Sequence, residues 1–349
     1  LTLPGGQEVR ARRDALHRIV ASTDAVGMTS HYRWSPAGQL LEWITPDEQS
    51  TRYRYDDTGL LREIEYADGS KALLRHALGR ITEIKSPYFH QQYAYDEHTG
   101  LVQRIDDQQL GRTVDIEYNH HNRISRVTLS GVGSIVYRYD QGGRLTGVTA
   151  PDGQRVVIGY NPGGRIAQLG FPNGAVQTYQ YDQRWGSVSA MTVVRGDQSL
   201  LDRRYLYGPG QLVEGIEERV SGTKASYRYD ENDALVLADL DEGGHAGRID
   251  YRYDANGNLV SETQGGVETR YQYTGIGRQV RRGDNRQEYD PRGNLVAIHD
   301  GKASTRVTYS ADNRLIEAAL PAGRRKVFHY DPAGRLIHTR IGDRETHIL

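Results

Sequence analysis

A single short pattern, Y-x-Y-D-x-x-G-x-L, recurs along the sequence and limits what the chain can fold into. It appears in full at Tyr53-Arg-Tyr55-Asp56, with Gly59 three residues after the aspartate. The commonest step between the second aromatics of successive units is 21 residues, as from Trp34 to Tyr55, and the other steps run from 16 to 26 residues. A period this steady predicts a repeat array in which each unit packs mainly on its neighbours.

The sequence contains 16 such units, and some of them are degenerate. Their second aromatic position, or its weaker equivalent, falls at Arg13, Trp34, Tyr55, His76, Tyr95, Tyr118, Tyr139, Tyr160, Tyr181, Tyr207, Tyr229, Tyr253, Tyr273, Tyr289, Tyr309 and Tyr330. We interpret the conspicuous members of the pattern as structural repeat positions: Tyr53, Tyr55, Asp56, Gly59, Tyr137, Tyr139, Asp140, Gly143, Tyr227, Tyr229, Asp230, Tyr251, Tyr253, Asp254, Gly257, Tyr330, Asp331 and Gly334.

Each part of the unit has a local physical meaning. Two aromatics spaced by two share one face of a strand, and the residue between them, often arginine, points to the other face. The D-x-x-G segment has the preferences of a type I turn, with a left-handed glycine that leads into a bulged hairpin. A second turn signal, such as Asp152-Gly153, follows the outgoing strand. Each unit is therefore predicted to be two short strands and two tight turns.

The predicted fold class is all-β, a tandem array of β-hairpins that forms a coiled antiparallel sheet. Residues 8–20 look mildly helical but align as a degenerate repeat, so we predict strand there. Two strands in each of 16 units give about 32 strands, and a sheet of on the order of 150 Å at ~4.8 Å per strand. Open sheets rarely exceed roughly 10–15 strands without curling, so this sheet should coil. We predict one continuous array over residues 1–349 that is a fragment of a longer shell, with no delivery or toxin domain.

Composition excludes several classes of protein. The 44 basic and 45 acidic residues nearly cancel, which gives no electrostatic signature of a nucleic-acid partner. Without cysteine the chain can form no disulfide. No apolar run is long enough to span a bilayer, so we expect no membrane span. We expect no cofactor and no bound metal.

The Y-x-Y-D-x-x-G-x-L units, their second turns and the 21-residue period resemble the RHS/YD-repeat family over essentially the whole chain. The family includes bacterial polymorphic toxins, C components of insecticidal toxin complexes and, more distantly, the animal teneurins. The resemblance implies a spiralling β-sheet that forms part of a hollow shell. In bacterial members the shell encloses a C-terminal toxin, often for delivery by type VI secretion. The implied partners are thus a toxin cargo, the rest of the shell and type VI secretion components.

The sequence departs from the bacterial pattern at its C-terminal end. Bacterial members carry a D-P-x-G-type self-cleavage motif after the repeats. Asp331-Pro332-Ala-Gly334 is superficially similar but lies in repeat register, so we interpret it as a turn and expect no autoproteolysis. The resemblance further implies an effector made in the bacterial cytoplasm and then secreted or delivered, with a cell-surface location as the alternative.

Other local motifs have a structural explanation that we prefer. Asp254-Ala-Asn256-Gly-Asn258 resembles a calcium loop, but Leu259 stands where that loop needs glycine. His120 and His121, with acidic residues nearby, suggest metal binding but fall in and beside a hairpin turn.

Three further motifs are also interpreted structurally. The aspartate after each second aromatic is expected to bind turn amides. Gly208-Pro-Gly210 lacks the G-K-[ST] of a phosphate loop. Two arginine pairs, Arg281-Arg282 and Arg324-Arg325, are interpreted as solvated strand ends.

Three functional hypotheses follow. The leading one is a non-catalytic shell segment that encapsulates a C-terminal toxin until delivery. The first alternative is a cell-surface or carbohydrate-binding module that uses exposed aromatic rows, with Trp34, Trp43 and Trp185 as candidates. The second alternative is a self-cleaving protease. We predict that the chain is not an enzyme and has no catalytic residues.

Overall fold

The structure, a computed structural model, describes residues 8–24, 27–87, 89–242, 245–274, 277–310, 313–330 and 335–348. Within these ranges it contains 33 β-strands and two short turns of 3-10 helix, Pro209–Gln211 and Pro321–Gly323. The all-β antiparallel fold predicted from the repeat is confirmed. Residues 8–20, the mildly helical stretch, contribute the first strand and the start of the second.

The strands are short, because a turn interrupts the chain about every ten residues. Their bounds are β1 (Arg10–Arg13), β2 (Ile19–Thr23), β3 (Thr29–Trp34), β4 (Leu40–Ile44), β5 (Ser50–Tyr55), β6 (Leu61–Glu65), β7 (Lys71–Ala77), β8 (Arg80–Ser86), β9 (Phe89–Tyr95), β10 (Val102–Asp107), β11 (Arg112–Tyr118), β12 (Ile124–Leu129), β13 (Gly133–Tyr139), β14 (Leu145–Thr149), β15 (Arg155–Tyr160), β16 (Ile166–Gly170), β17 (Ala175–Tyr181), β18 (Val188–Arg195), β19 (Gln198–Tyr207), β20 (Val213–Glu218), β21 (Lys224–Tyr229), β22 (Leu235–Glu242), β23 (His245–Tyr253), β24 (Leu259–Gln264), β25 (Val267–Tyr273), β26 (Gln279–Arg282), β27 (Asn285–Tyr289), β28 (Leu295–His299), β29 (Ser304–Tyr309), β30 (Leu315–Ala319), β31 (Arg325–Tyr330), β32 (Leu336–Ile341) and β33 (Arg344–His347).

The strands belong to one 33-stranded sheet. From β1 to β10, and again from β11 to β33, each strand pairs antiparallel with the next one in sequence. This order follows from the repeat, because tight turns join only strands that are antiparallel neighbours.

The turn after each second aromatic has a recurrent geometry, which the hairpin of β5 and β6 illustrates. The Gly59 amide donates to the Asp56 carbonyl at 3.0 Å, and the Asp56 amide donates to the Leu60 carbonyl at 2.8 Å. Gly59 has a φ of +86°, a left-handed conformation that favours glycine. Beyond the turn the register shifts, because Tyr55 opposes Leu61 while Arg54 opposes Glu63. Each such hairpin therefore carries a bulge beside its second aromatic.

Strand alternation gives the sheet two chemically different faces. We call the side that carries Tyr53 and Tyr55 the tyrosine face, and the side that carries Arg52 and Arg54 the arginine face. On the arginine face the middle of several outgoing strands is buried beside cross-strand arginines, as Ser261 is between Arg252 and Arg270. The buried positions of this kind with an arginine opposite are Ala21, Glu42, Gly147, Ala190, Leu237, Ser261 and Ala297.

Little apolar surface is fully buried. Among the described residues, nine apolar side chains are buried, and only Phe89 and Leu237 of these are not alanine. Stability must therefore come from the hydrogen-bonded ladder and from half-buried side chains that cover their neighbours.

Contacts divide the chain into two compact units. Unit 1 comprises residues 1–113 and 271–349, and unit 2 comprises residues 114–270. Unit 1 thus joins the N-terminal and C-terminal repeats. The assignment of the whole chain to one continuous array of 16 repeats stays a prediction.

Candidate functional site

In most turns that follow a second aromatic, the side chain of the first residue accepts hydrogen bonds from the turn's own backbone. In the hairpin of β13 and β14, Oδ1 of Asp140 accepts from the Arg144 amide at 2.9 Å. The side chains that accept turn amides in this way are Asp14, Ser35, Asp56, Asp96, Asn119, Asp140, Asn161, Asp182, Asp230, Asp254, Thr274, Asp290 and Ser310. The recurring carboxylates are thus already engaged with backbone.

These hydrogen bonds favour the ionised carboxylate. The Arg144 amide, and then its guanidinium, hold the pKa of Asp140 below its usual range. For Asp254, the Asn258 side-chain amide and then the Asn258 backbone amide have the same effect on the pKa.

In most repeats the second aromatic binds the repeat before it. Tyr160 donates from its hydroxyl to the Leu145 carbonyl at 2.8 Å. The same bond, at 2.6–3.2 Å, is made by Tyr55, Tyr95, Tyr139, Tyr160, Tyr181, Tyr207, Tyr229, Tyr253, Tyr289 and Tyr309, and Trp34 makes it through its indole nitrogen. The acceptor is the first residue of an outgoing strand, except for Tyr95, whose acceptor Ile81 is the second residue of β8.

This acceptor is a carbonyl beyond the end of the backbone ladder. The ladder of β14 with β15 begins at Gly147 opposite Val157, two residues after Leu145. The phenol of Tyr160 supplies the hydrogen bond that this carbonyl would otherwise lack. A bond of this kind contributes about 0.5–1.5 kcal/mol to stability, and the contributions of successive repeats add together. Burial raises the pKa of several of these phenols, as at Tyr253, so they remain protonated donors at neutral pH.

In several repeats the residue just before the acceptor adds a second link, which the sequence analysis missed. Arg144 lies with its guanidinium carbon 4.7 Å from the centroid of the Tyr160 ring. The stacking arginines, each over the second aromatic of the next repeat at 4.7–5.9 Å, are Arg18, Arg80, Arg123, Arg144, Arg165 and Arg314. The available signal was the recurrence of arginine directly after the turn glycine, in G-R-L and G-R-I.

The turn glycine also makes room for this arginine. A Cβ on Gly143 would overlap the guanidinium of Arg123 from the preceding repeat. Gly143 has a φ of +79° as well, so two separate requirements favour glycine at this position.

The arginine face carries ion pairs between neighbouring strands. Glu42, 7 % exposed, bonds Arg33 at 2.9 Å and Arg52 at 3.0 Å. The Ser50 hydroxyl, and then the two arginines, hold the pKa of this glutamate below its usual range. Such ladders fix the strand register as well as the charge balance.

Within unit 1, turns of N-terminal repeats contact turns of C-terminal repeats. Oδ2 of Asp47 lies 3.4 Å from Nε of Arg292, whose side chain is 9 % exposed. Asp24 and Arg278 form a second, longer pair at 3.9 Å. Repeats about 250 residues apart in sequence therefore meet through their turns.

The structure puts the remaining sequence candidates in ordinary structural surroundings. The Asp254 carboxylate accepts bonds from the Asn256 amide, the Asn258 amide and the Asn258 side chain, all at 2.9 Å. His120 and His121 lie side by side with ring centroids 3.9 Å apart. Across the described residues, no three His, Cys, Asp or Glu side chains converge as metal ligands.

The tryptophans differ in exposure. Trp34 bonds the Ile19 carbonyl and Trp43 buries its indole nitrogen, whereas Trp185 is 36 % exposed and has Arg184 stacked on its ring. Asp331 and Gly334 lie outside the described residues, so the turn predicted there stays a prediction.

No helix in the described part of the chain is long and apolar enough to cross a membrane.

Three comparisons place the chain among known proteins. The family model described as the teneurin YD-shell matches residues 79–208 and 187–347, and the RHS-repeat model matches residues 34–71. A sequence search among curated proteins gave no match.

Solved structures share the fold at low sequence identity. The structure titled TcdB2-TccC3-TEV is 14 % identical with a TM-score of 0.72 over 95 % of this chain. TcdB2-TccC3 without its hypervariable C-terminal region is 14 % identical with a TM-score of 0.73 over 97 %. The Tc holotoxin pore of Photorhabdus luminescens, with a TccC3 mutation, is 13 % identical with a TM-score of 0.63 over 96 %. This chain spans about a fifth of those chains, 22 % in the first two and 23 % in the third.

The tyrosine pairs, the bulged turns and the 33-stranded ladder agree with the family match, which extends over more than half of the sequence. The chain belongs to the YD-shell family of RHS-repeat proteins.

Proposed function

We propose that this chain is a wall segment of a shell that encloses a polypeptide cargo, a C-terminal toxin of the parent protein, until delivery. The observation that carries the proposal is the double link between repeats. Apart from the step from β10 to β11, each repeat is joined to the next by a strand ladder and, in most repeats, by a phenol bonded past the ladder's end. A wall with this construction has few open carbonyls at its turns.

The mechanism is physical sequestration. A continuous ladder of backbone hydrogen bonds leaves an enclosed chain no path through the wall without breaking several bonds together. The fold likeness to chains in TcdB2-TccC3 structures supports a shell of this type, of which this chain forms a part. Neither a catalytic group nor a cofactor is needed for this role.

Delivery belongs to the same proposal. We propose that the parent protein is made in a bacterial cytoplasm and is then secreted or delivered, with type VI secretion components as partners.

Protease protection tests the proposal. The intact parent protein is incubated with a broad-specificity protease, and the survival of the cargo is followed by mass spectrometry. We expect the cargo to survive as long as the wall, and to be digested at once when it is supplied as a separate polypeptide. Rapid digestion of the cargo inside a folded parent would contradict the proposal.

One observation favours a second candidate, a carbohydrate-binding module. Trp185 exposes about a third of its surface, and sugar rings stack on such indoles. A glycan array probed with the chain and with Trp185→Ala tests this candidate. Loss of a specific signal in the variant would support it, and an array without any signal would remove it.

A further inference from the structure

An open cleft of about 460 Å³ lies between the turn at residues 119–123 and the turn of the following repeat. Its lining includes His120, His121 and Arg123, together with Tyr137 of the tyrosine face. The cleft lies wholly within unit 2.

The cleft contains a cation whose charge is not neutralised. In the next repeat, Nε of Arg144 lies 2.8 Å from the carboxylate of Asp140, four residues earlier. The position equivalent to Asp140 is Asn119, which binds the same turn amides but carries no charge. Among the described residues, no carboxylate lies within ion-pair distance of Arg123.

Other donors converge on the same space. The Tyr137 hydroxyl and both imidazole rings line the cleft, and the described residues offer them no hydrogen-bond partner. A histidine ring carries a donor N–H in either protonation state. One carboxylate, that of Asp140, also lines the cleft, but the amide and guanidinium of Arg144 engage its two oxygens. The unsatisfied groups are thus predominantly donors, with one full positive charge.

We propose that this cleft binds an oxyanion, a phosphate or carboxylate group of a small ligand. The guanidinium of Arg123 provides charge and parallel N–H donors, and Tyr137 with His120 and His121 completes the ring of donors. Stacking on Tyr139 at 5.9 Å holds the guanidinium in place before a ligand arrives. The site is independent of the wall function, which uses the phenol of Tyr139 and not that of Tyr137.

The test exploits the difference between neighbouring repeats. Inorganic phosphate is titrated into the purified chain while the ring signals of His120 and His121 are followed by NMR, assigned with His120→Asn and His121→Asn. Asn119→Asp installs the carboxylate that Arg144 already has, and aspartate binds the turn amides equally well. We expect saturable shifts in the unmodified chain and affinity at least tenfold lower in Asn119→Asp.

Asn161→Asp is the matched control. It makes the same charge change beside another stacking arginine, Arg165, which lies outside the cleft and donates to the Gly186 carbonyl at 2.7 Å. We expect this variant to bind phosphate as the unmodified chain does. An absence of saturable shifts, unchanged affinity in Asn119→Asp, or equal loss in both variants would each overturn the proposal.

Two further arms identify the source of the oxyanion. Glucose 6-phosphate represents a soluble phosphoester, and vesicles that contain phosphatidic acid represent a lipid headgroup. Binding of either one supports the site if Asn119→Asp removes it, and binding that survives this substitution counts against it.

Discussion

Two stretches of unit 2 link their neighbouring repeats in different ways. In residues 118–181, stacking arginines precede each acceptor carbonyl, the period is 21 residues and no strand exceeds seven residues. In residues 187–253, serine, leucine or alanine occupies the arginine position, and β18, β19, β22 and β23 have eight to ten residues. Both stretches keep the phenol-to-carbonyl bond.

The comparison indicates which part of the repeat is indispensable. The phenol bond occurs with and without the arginine, so it is the constant link between units. In these two stretches the stacking arginine occurs with short strands, and most strands of the stretch that lacks it are longer. Each additional ladder pair adds backbone hydrogen bonds that contribute about 0.5–1.5 kcal/mol each.

The largest expected effect comes from removal of the whole ring. Tyr160→Ala and Tyr253→Ala should each destabilise the chain by about 2–3 kcal/mol, below the value for a fully buried aromatic because both rings are half-buried. The loss at Tyr160 should be the greater one, because Arg144 loses its stacking surface too. Urea-induced unfolding of the full chain measures both. A larger loss at Tyr253 would break the comparison.

Removal of the hydroxyl alone should affect the two stretches equally. Tyr160→Phe and Tyr253→Phe each leave a carbonyl without its donor, which costs about 1 kcal/mol. Hydrogen exchange of the flanking strands, read with urea midpoints, reports the change. Effects that differ several-fold between the two variants would show that the phenol is not the constant link.

The stabilisation by a stacking arginine should be transferable from the first stretch to the second. Arg144→Met should cost about 0.5 kcal/mol, a value lowered for solvent screening because this side chain is 46 % exposed. Ala234→Arg should stabilise the second stretch by a similar amount, since Ala234 directly precedes the acceptor Leu235. Thermal unfolding of both variants provides the measurement, with Ala234→Met as the control for chain length without charge. Destabilisation by Ala234→Arg alone would argue against a common geometry.

The smallest expected effect concerns the turn aspartates. Asp140 and Asp254 both have a lowered pKa in the folded chain. Their contribution to stability is therefore present above the unfolded value of about 3.9 and is lost as the pH falls through the folded value.

Added salt should change the pKa values of the two aspartates to different extents. Because the charge of Arg144 contributes at Asp140, added salt should raise the pKa of Asp140 more than that of Asp254, which is lowered by hydrogen bonds from uncharged groups. Carboxyl ¹³C NMR titrations at low and high salt measure both. Equal salt responses would show that the guanidinium of Arg144 is not an electrostatic partner of Asp140.

The sequence by itself determined the strand and turn pattern of this protein. Three features act within a few residues of one another: the alternating tyrosines, a left-handed glycine as at Gly59 and an aspartate that binds turn amides. Because they are local, they can be recognised from the sequence alone. The phenol bond of Tyr160 was not foreseen, because its acceptor is identified only once the register and bulge of the neighbouring hairpin are known.

Only the tertiary structure revealed the contacts between residues far apart in sequence and the surroundings that distinguish one repeat from the next. Nothing in the pattern pairs Asp47 with Arg292, because the two turns lie far apart in sequence and only the three-dimensional structure brings them together. The unneutralised charge of Arg123 likewise needed the cleft geometry, since the exchange of Asp for Asn at position 119 is silent in a turn that either residue can form. Local signals determine the hairpins, and contacts between residues distant in sequence determine which turns meet.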